Sequence, residues 1–322
     1  MKLSSFVLLA ALLSLAACAS NDVIEEQEGK KAQIGFSFSV EDGNSDSRAL
    51  TMDNFDAFYV YGGYRTEDQW GGVNYDNQQI FNGREVSKVS DDYWDYQNHE
   101  YWVEGGIYKF YGYSLDNTKS SKAKITTYWN GSRTMYTLAL DGYTCDNNNQ
   151  KDLIYTESNE IVGLASGQNS RVQLVFRHLL SRISFKIVNS TSNPIQVDNF
   201  KVCKHYVTSN YGYHQVYVNN KNEVGTGWYS PADWSRSESN SLTIKFGGKT
   251  NGTIKKNSSA TSDYAYVIPY DYDAISDKQS WNAVWIDFKV TDQKTNVTTS
   301  YHSEIWPTWT EGGVQNYNIE IN

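Results

Sequence analysis

Residues 33–40 alternate strictly. Ile34, Phe36, Phe38 and Val40 are apolar, and Gln33, Gly35, Ser37 and Ser39 between them are small or polar. A period of two places the four apolar side chains on one face, so the segment reads as a half-buried strand. Similar short runs recur at 55–61, 106–114, 125–129, 135–140, 153–156, 172–176, 183–187, 196–202, 215–218, 242–246, 264–268, 284–291, 298–305 and 317–321. Pairs with turn chemistry punctuate them: Gly62-Gly63, Asn82-Gly83, Asn130-Gly131 and Asp141-Gly142. The chain holds 25 Tyr, 10 Trp and 12 Phe against 4 Pro, and aromatic rings suit a pleated surface. The pattern predicts an all-β chain of two tandem antiparallel β-sandwich domains.

The first residues stand apart. Lys2 precedes an apolar run at 6–15 that ends in Leu15, Ala16, Ala17 and Cys18. The run is too short to span a bilayer and reads as the apolar core of a secretory signal. A cysteine directly after small residues resembles the lipobox, which implies acylation at Cys18 and anchorage in the cell outer membrane. Asp22, Glu25, Glu26 and Glu28 follow in a polar stretch that reads as a tether. The expected organisation is a signal at 1–17, an acidic tether at 18–31, an N-terminal domain at 32–168 and a C-terminal domain at 169–322. The inner boundary is taken from the Gly/Ser/Asn-rich stretch 163–169. A net charge of -9 and the lack of a basic stripe exclude nucleic acid as a partner. Cys145 and Cys203 flank the expected boundary and read as two separate small core residues, with a bridge as the alternative.

Several blocks together resemble the Bacteroidetes fimbrillin family, the type V pilins. The run 172–187, with Arg177, His178, Leu179, Leu180, Ser181 and Arg182 at its middle, is similar to the strand that opens the C-terminal domain in that family. Phe55 to Tyr61 is similar to an early strand, and Tyr101-Trp102 followed by 105–113 to a glycine-then-aromatic strand. Asp152 to Tyr155 and 309–319 are similar to a segment before the interdomain linker and to the closing strand. The resemblance implies two transthyretin-like, Greek-key sandwiches exported as a lipoprotein. It further implies a fimbrial subunit or adhesin whose partners are other pilin subunits. An Arg-specific protease would cut in the loop after the first strand, and a neighbour's strand would then fill the groove.

The residues accommodate that scheme. The polar loop 41–47 lacks bulky groups and leads to Arg48 and Ala49, the expected cleavage site. Loss of the strand carrying Ile34, Phe36, Phe38 and Val40 would bare an apolar slot with unpaired backbone groups, which recruits a foreign strand. Burial of those four side chains is worth roughly 6–12 kcal/mol before entropy. The chain stops at Asn322, directly after the strand 317–321. The expectation is therefore a subunit that accepts a strand without donating one, at a filament end.

Catalytic patterns are weak. His99, His178, His205, His214 and His302 show no zinc-ligand spacing, and no nucleophile elbow, phosphate loop or dinucleotide fingerprint occurs. Residues 146–152 imitate a calcium loop, but Lys151 stands where glycine is required, so a polar turn is expected. His178 is expected to be structural. Neither an enzyme activity nor a cofactor or metal is predicted. An alternative function rests on clustered aromatics: Trp70, Trp94 and Trp102 are candidate platforms for a glycan or surface receptor.

Overall fold

The computed structural model describes residues 32–41, 50–65, 79–91, 93–120, 123–129, 134–143, 145, 147–164, 171–203, 212–218, 224–229, 241–271 and 283–322. The chain is all-β, with no helix among these residues. A first sheet contains β1 (Phe36–Val40), β2 (Ala57–Arg65), β3 (Gln79–Ser90), β4 (Tyr93–Asp95) and β5 (Ile107–Leu115). The hairpin β6 (Ala123–Trp129) and β7 (Thr134–Tyr143) leaves this sheet, and β8 (Leu153–Glu157), β9 (Ile161–Val162) and β10 (Val172–His178) return to it. Its order is β1-β10-β8-β5-β2-β3-β4, with β9 beside β5.

The rest of the chain begins with β11 (Ser181–Asn189), β12 (Ile195–Cys203), β13 (Gly212–Val218) and β14 (Val224–Tyr229). Then come β15 (Ser241–Thr243), β16 (Asn251–Ile254), β17 (Ser258–Thr261), β18 (Ala265–Val267) and β19 (Tyr270–Asp271). The last are β20 (Val284–Asp292), β21 (Thr298–Ile305), β22 (Thr308–Trp309) and β23 (Val314–Ile321). One sheet sets β17 and β18 on one side of β11 and β23 on the other, and a second runs β15-β12-β20-β21 with β16 also on β12.

The first sheet is buried on both faces because its central strands carry rings in alternation. Phe58 and Val60 of β2, with Tyr108 and Phe110 of β5, point to one core. Tyr59 and Tyr61, with Tyr111 and Tyr113, point to another. The sheet rolls until its two ends approach: Phe38 of β1 lies 4.5 Å from the ring of Trp94 in β4. A third core fills the space between the two later sheets and includes Ile183, Phe185, Phe200 and Phe288.

Three features of the strand pairing were not expected. The boundary at 169 falls before β10, and β10 pairs with β1 and β8 in the first sheet. The change of sheet comes at Leu179 and Leu180. A Gly/Ser-rich composition marks a loop and does not determine what the next strand pairs with. The two halves are also joined by one sheet, β14-β13-β7-β6, which takes strands from both. The pairing is not wholly antiparallel: β1 with β10 and β11 with β23 are parallel.

Three supposed turns are strand. Gly62-Gly63 lies inside β2 and Asp141-Gly142 inside β7. Asn82-Gly83 is a bulge in β3, where the register against β2 shifts between Val60 and Tyr61. Gly83 has φ +66°, and a Cβ there would stand 2.6 Å from the Tyr61 hydroxyl, so glycine is required. Asn130-Gly131 lies outside the described residues, between the paired strands β6 and β7.

Phe36 is the packing centre of β1, edge-to-face with Phe58, Phe81, Tyr96 and Phe110 at 5.5–6.0 Å. Phe36→Ala is expected to cost about 3–5 kcal/mol, whereas Ser39→Ala on the exposed face should change stability by less than about 0.5 kcal/mol. Urea denaturation of both variants checks this.

Candidate functional site: the seat of the first strand

β1 ends its sheet. Its only ladder partner among the described residues is β10, from Phe36 opposite Val172 to Val40 opposite Phe176. Val172 N–H donates to Gly35 O and Glu41 N–H to Phe176 O, both at 2.8 Å, which closes the ladder at its two ends. Ile34, Phe36 and Val40 are buried, and Phe38 packs partly buried against the same core. The alternation predicted from sequence is therefore the face that fills the seat.

Upstream of the ladder a second contact holds the strand from the other side. Ile34 N–H donates to Glu100 O at 2.8 Å, and Trp102 N–H donates to Ala32 O at 3.0 Å. The Tyr96 hydroxyl donates to Ile34 O at 2.6 Å. Burial pushes the Tyr96 phenol up to about 12, so it stays a donor at any physiological pH. Arg84 fixes this clasp: it donates to Asn98 O at 2.5 Å, pairs with Glu100 at 3.0 Å and lies over the Phe81 and Tyr96 rings.

Beyond β1, the chain is caught again at Leu50. Its N–H donates to Asp152 Oδ2 at 2.8 Å, and the same oxygen lies 2.8 Å from His178 Nδ1. Asp152 is buried at 1 % exposure and His178 at 7 %. Residues 41 and 50 are thus both tied at β10, through Phe176 O and through His178. Arg48 and Ala49 lie between these ties but outside the described residues, as do Cys18 and Trp70.

The calcium-like stretch serves backbone instead. Asn147 Oδ1 accepts from Thr243 N–H at 2.7 Å while its amide donates to Ser241 O at 3.0 Å. Gln150 Oε1 accepts from Tyr266 N–H at 2.8 Å and its amide donates to Tyr266 O at 3.1 Å. Each side chain imitates one strand residue and fastens the first half of the chain to β15 and β18. No group of three metal-ligating side chains occurs among the described residues. Cys145 and Cys203 form no disulfide: the first thiol donates to Tyr266 O at 3.1 Å and the second lies 3.5 Å from Asp287 Oδ2.

Two candidate glycan platforms are placed elsewhere. Trp102 is 4 % exposed, with its ring against Tyr108 and Phe110, and a buried indole offers no face to a sugar. Trp94 packs its ring on Phe38, Phe55 and Phe58. The single letters could not separate these core rings from Tyr93 and Tyr101, which are 40 % and 46 % exposed. The bracing roles of Tyr96, Asp152, Asn147 and Gln150 were not legible in the sequence. For Tyr96 the signal was its place two residues after Trp94, which puts both rings on one face, and both meet the same core.

The profile of fimbrillin-like proteins matches residues 46–322, which covers the clasp, the ladder partner of β1 and both later sheets. The chain belongs to the fimbrillin-like family. Among solved structures it is similar to one from Bacteroides ovatus, provisionally described as a cell adhesion protein, at 13 % identity over 90 % of this chain and 92 % of that one, TM-score 0.43. A second, from Bacteroides uniformis and described in the same words, has 11 % identity over 92 % and 94 %, TM-score 0.42. A third, from Bacteroides thetaiotaomicron and provisionally described as an adhesin, has 11 % identity over 85 % and 81 %, TM-score 0.38. No curated protein matches this fimbrillin-like chain.

Two predictions concern the ties around the seat. Asp152→Ala strands the buried His178 and the Leu50 N–H; it should cost about 2–3 kcal/mol and accelerate amide exchange at Leu50 before global unfolding, read by hydrogen exchange. The turn at 311–313 rests on His178, with a Cβ on Gly312 falling 3.6 Å from His178 O. There, burial raises the Glu311 carboxyl above its ordinary value of 4.5, against the opposing pull of Arg177. A raised acid favours the fold below its unfolded value and loses that contribution as pH climbs through the folded value. Glu311→Gln should therefore gain on the wild type as pH rises from 4 to 7, measured by urea midpoints.

Proposed function

We propose that this fimbrillin-like chain is a non-enzymatic fimbrial subunit or adhesin that is completed by another subunit's strand. The observation that carries the reading is the seat of β1: an apolar-faced strand at the end of its sheet, laddered among the described residues to β10 alone and tied off at residues 41 and 50. Cleavage after Arg48 would release residues up to 48 while Leu50 stays held by Asp152. The vacated slot would offer the apolar core face of Phe58, Phe81, Phe110 and Phe176 together with the free backbone edge of β10, which is the arrangement that strand addition fills. Signal cleavage before Cys18 and acylation of its thiol would first anchor the chain in the outer membrane, and the later cut would separate the body from the lipid.

The clasp at 96–102 sets a condition on this scheme. Release of β1 breaks three hydrogen bonds to Ile34 and Ala32 besides the β10 ladder, so exchange requires cleavage followed by local opening, not cleavage alone.

β23 is treated as an integral strand. It pairs with β11 over eight residues, from Arg182 opposite Val314 to Asn189 opposite Ile321. Tyr317 accepts a hydrogen bond from the Trp309 indole at 2.9 Å, and Ile321 is buried. Donating it would strip the third core. This supports a subunit that accepts a strand without giving up β23, as at the tip of a filament or in an accessory position. Deletion of 314–322 is expected to abolish folding; a folded truncation that has lost only assembly would overturn the end-subunit assignment.

Treatment of the mature lipoprotein with an Arg-specific protease should give one early cut and a new N-terminus at Ala49, read by N-terminal sequencing. Arg48→Ala should resist that cut and keep the lipid. Cleaved protein mixed with a synthetic peptide of residues 32–41 should rebind it. Failure to cut at Arg48, or a cut body that leaves the slot unfilled by either peptide or subunit, argues against strand exchange.

A further inference from the structure

The turn that clasps β1 also forms one wall of a cleft that the strand-exchange scheme does not use. The cleft has a volume of about 880 Å³, lies on the outer face of β3 and β4, and is lined by Arg84, Glu85, Ser87, Asp95 and residues 96–99. That size falls within the range of ligand sites, roughly 300–1,000 Å³.

Its chemistry excludes several ligand classes. The charge of Arg84 is matched by Glu100, and its donors are committed to Asn98 O and Ile80 O. Glu85 and Asp95 remain as carboxylates, which disfavours an anion. No set of three metal ligands is assembled among the described residues. β4 has only three residues, Tyr93–Asp95, too few to template an added peptide strand.

What remains suits a neutral polyol. The side-chain amides of Gln97 and Asn98 have no partner among the described residues, and each offers both a donor and an acceptor. His99 is oriented by Asp95 at 2.9 Å from its Nε2, which leaves its other ring nitrogen outward. Tyr93, two residues before Asp95 and so on the same face of β4, is 40 % exposed and offers a flat ring next to that lining residue. The wall is preset. Asn98 is fixed at φ +56°, its carbonyl is held by Arg84, and Tyr96 and Glu100 on either side of the amides are pinned to Ile34. A rigid wall loses little order on binding.

We propose that this cleft binds a neutral oligosaccharide, with Gln97, Asn98 and His99 reading hydroxyls and Tyr93 stacking against a ring. The inference goes beyond strand exchange and concerns the chain with β1 in place.

The test is calorimetric titration of the whole chain, lipid included and in detergent, against neutral hexasaccharides of glucose, mannose, galactose and N-acetylglucosamine, with sialylated, sulfated and uronic-acid oligosaccharides in parallel. At least one neutral member should bind. The double variant Gln97→Ala with Asn98→Gly, which keeps the positive φ accessible, should lose affinity about tenfold, and Tyr93→Ala by a similar factor. Lys289→Ala, on a distant sheet, should leave binding unchanged. All four residues are at the surface, and thermal melts equal to wild type confirm that the fold is intact. The proposal is overturned if no neutral member binds at millimolar concentration, if only anionic members bind, or if the Tyr93, Gln97 and Asn98 variants bind as wild type. The titration uses the uncleaved chain, in which Ile34 still pins the wall, so failure here leaves the strand-exchange reading to its own test.

Discussion

The parallel seating of β1 on β10 is the contact on which the first half of the molecule depends. Ile34, Phe36 and Val40 are buried from β1, and Val172, Leu174 and Phe176 are buried opposite them. Both strands lie at one end of a sheet whose other end, β4, comes round to meet them through Trp94 and Phe38. β1 supplies Phe36 and Phe38 to the ring cluster inside the roll, and this strand is the closing stave. A stave at an edge is the only kind that can be removed without first breaking the strands on either side of it.

From β10 the chain crosses directly into the rest of the fold. The run 172–187 supplies Val172, Leu174 and Phe176 to the first core, Leu179 and Leu180 to the middle one, and Ile183, Phe185 and Ile187 to the third. The polar residues at its centre fit this path. His178 turns back to Asp152, and Ser181 Oγ donates to Thr310 O. The amides of Asn147 and Gln150 fasten the same junction from the opposite side. Because the seat of β1 and the third core share one continuous strand pair, a strand exchanged at the first sheet is held by a scaffold anchored in the other. The turn 96–102 carries a comparable double duty, with its backbone holding β1 and its side chains facing the outer cleft.

Much of this was readable from residue order. The alternation at 33–40 gave both the strand and its buried face, and the runs at 107–115, 153–157, 284–292 and 298–305 appear as strands almost where period two put them. Errors arose where one residue type serves two backbone states. Asn82-Gly83 has the composition of a hairpin turn, yet the demand on Gly83 comes from the Tyr61 ring packed over it, a neighbour twenty-two positions away, as 83 minus 61 gives. β3 was missed for that reason. Trp102 and Tyr93 look alike as aromatic residues in a polar stretch, and only the curl of the sheet buries one and exposes the other.

Sequence by itself determined the class of structure, the inward face of each strong strand and the family, because side-chain period and order are local properties of the chain. Tertiary structure alone decided that β10 belongs with β1, that the seat lies at a sheet's end, and that Tyr96, Asp152, Asn147 and Gln150 grip it or brace its junction. Those facts are hydrogen bonds between residues far apart in sequence, 102 positions in the case of Leu50 and Asp152. Such partners are chosen by which edges remain unpaired once the sheets have formed, and no local pattern encodes that choice.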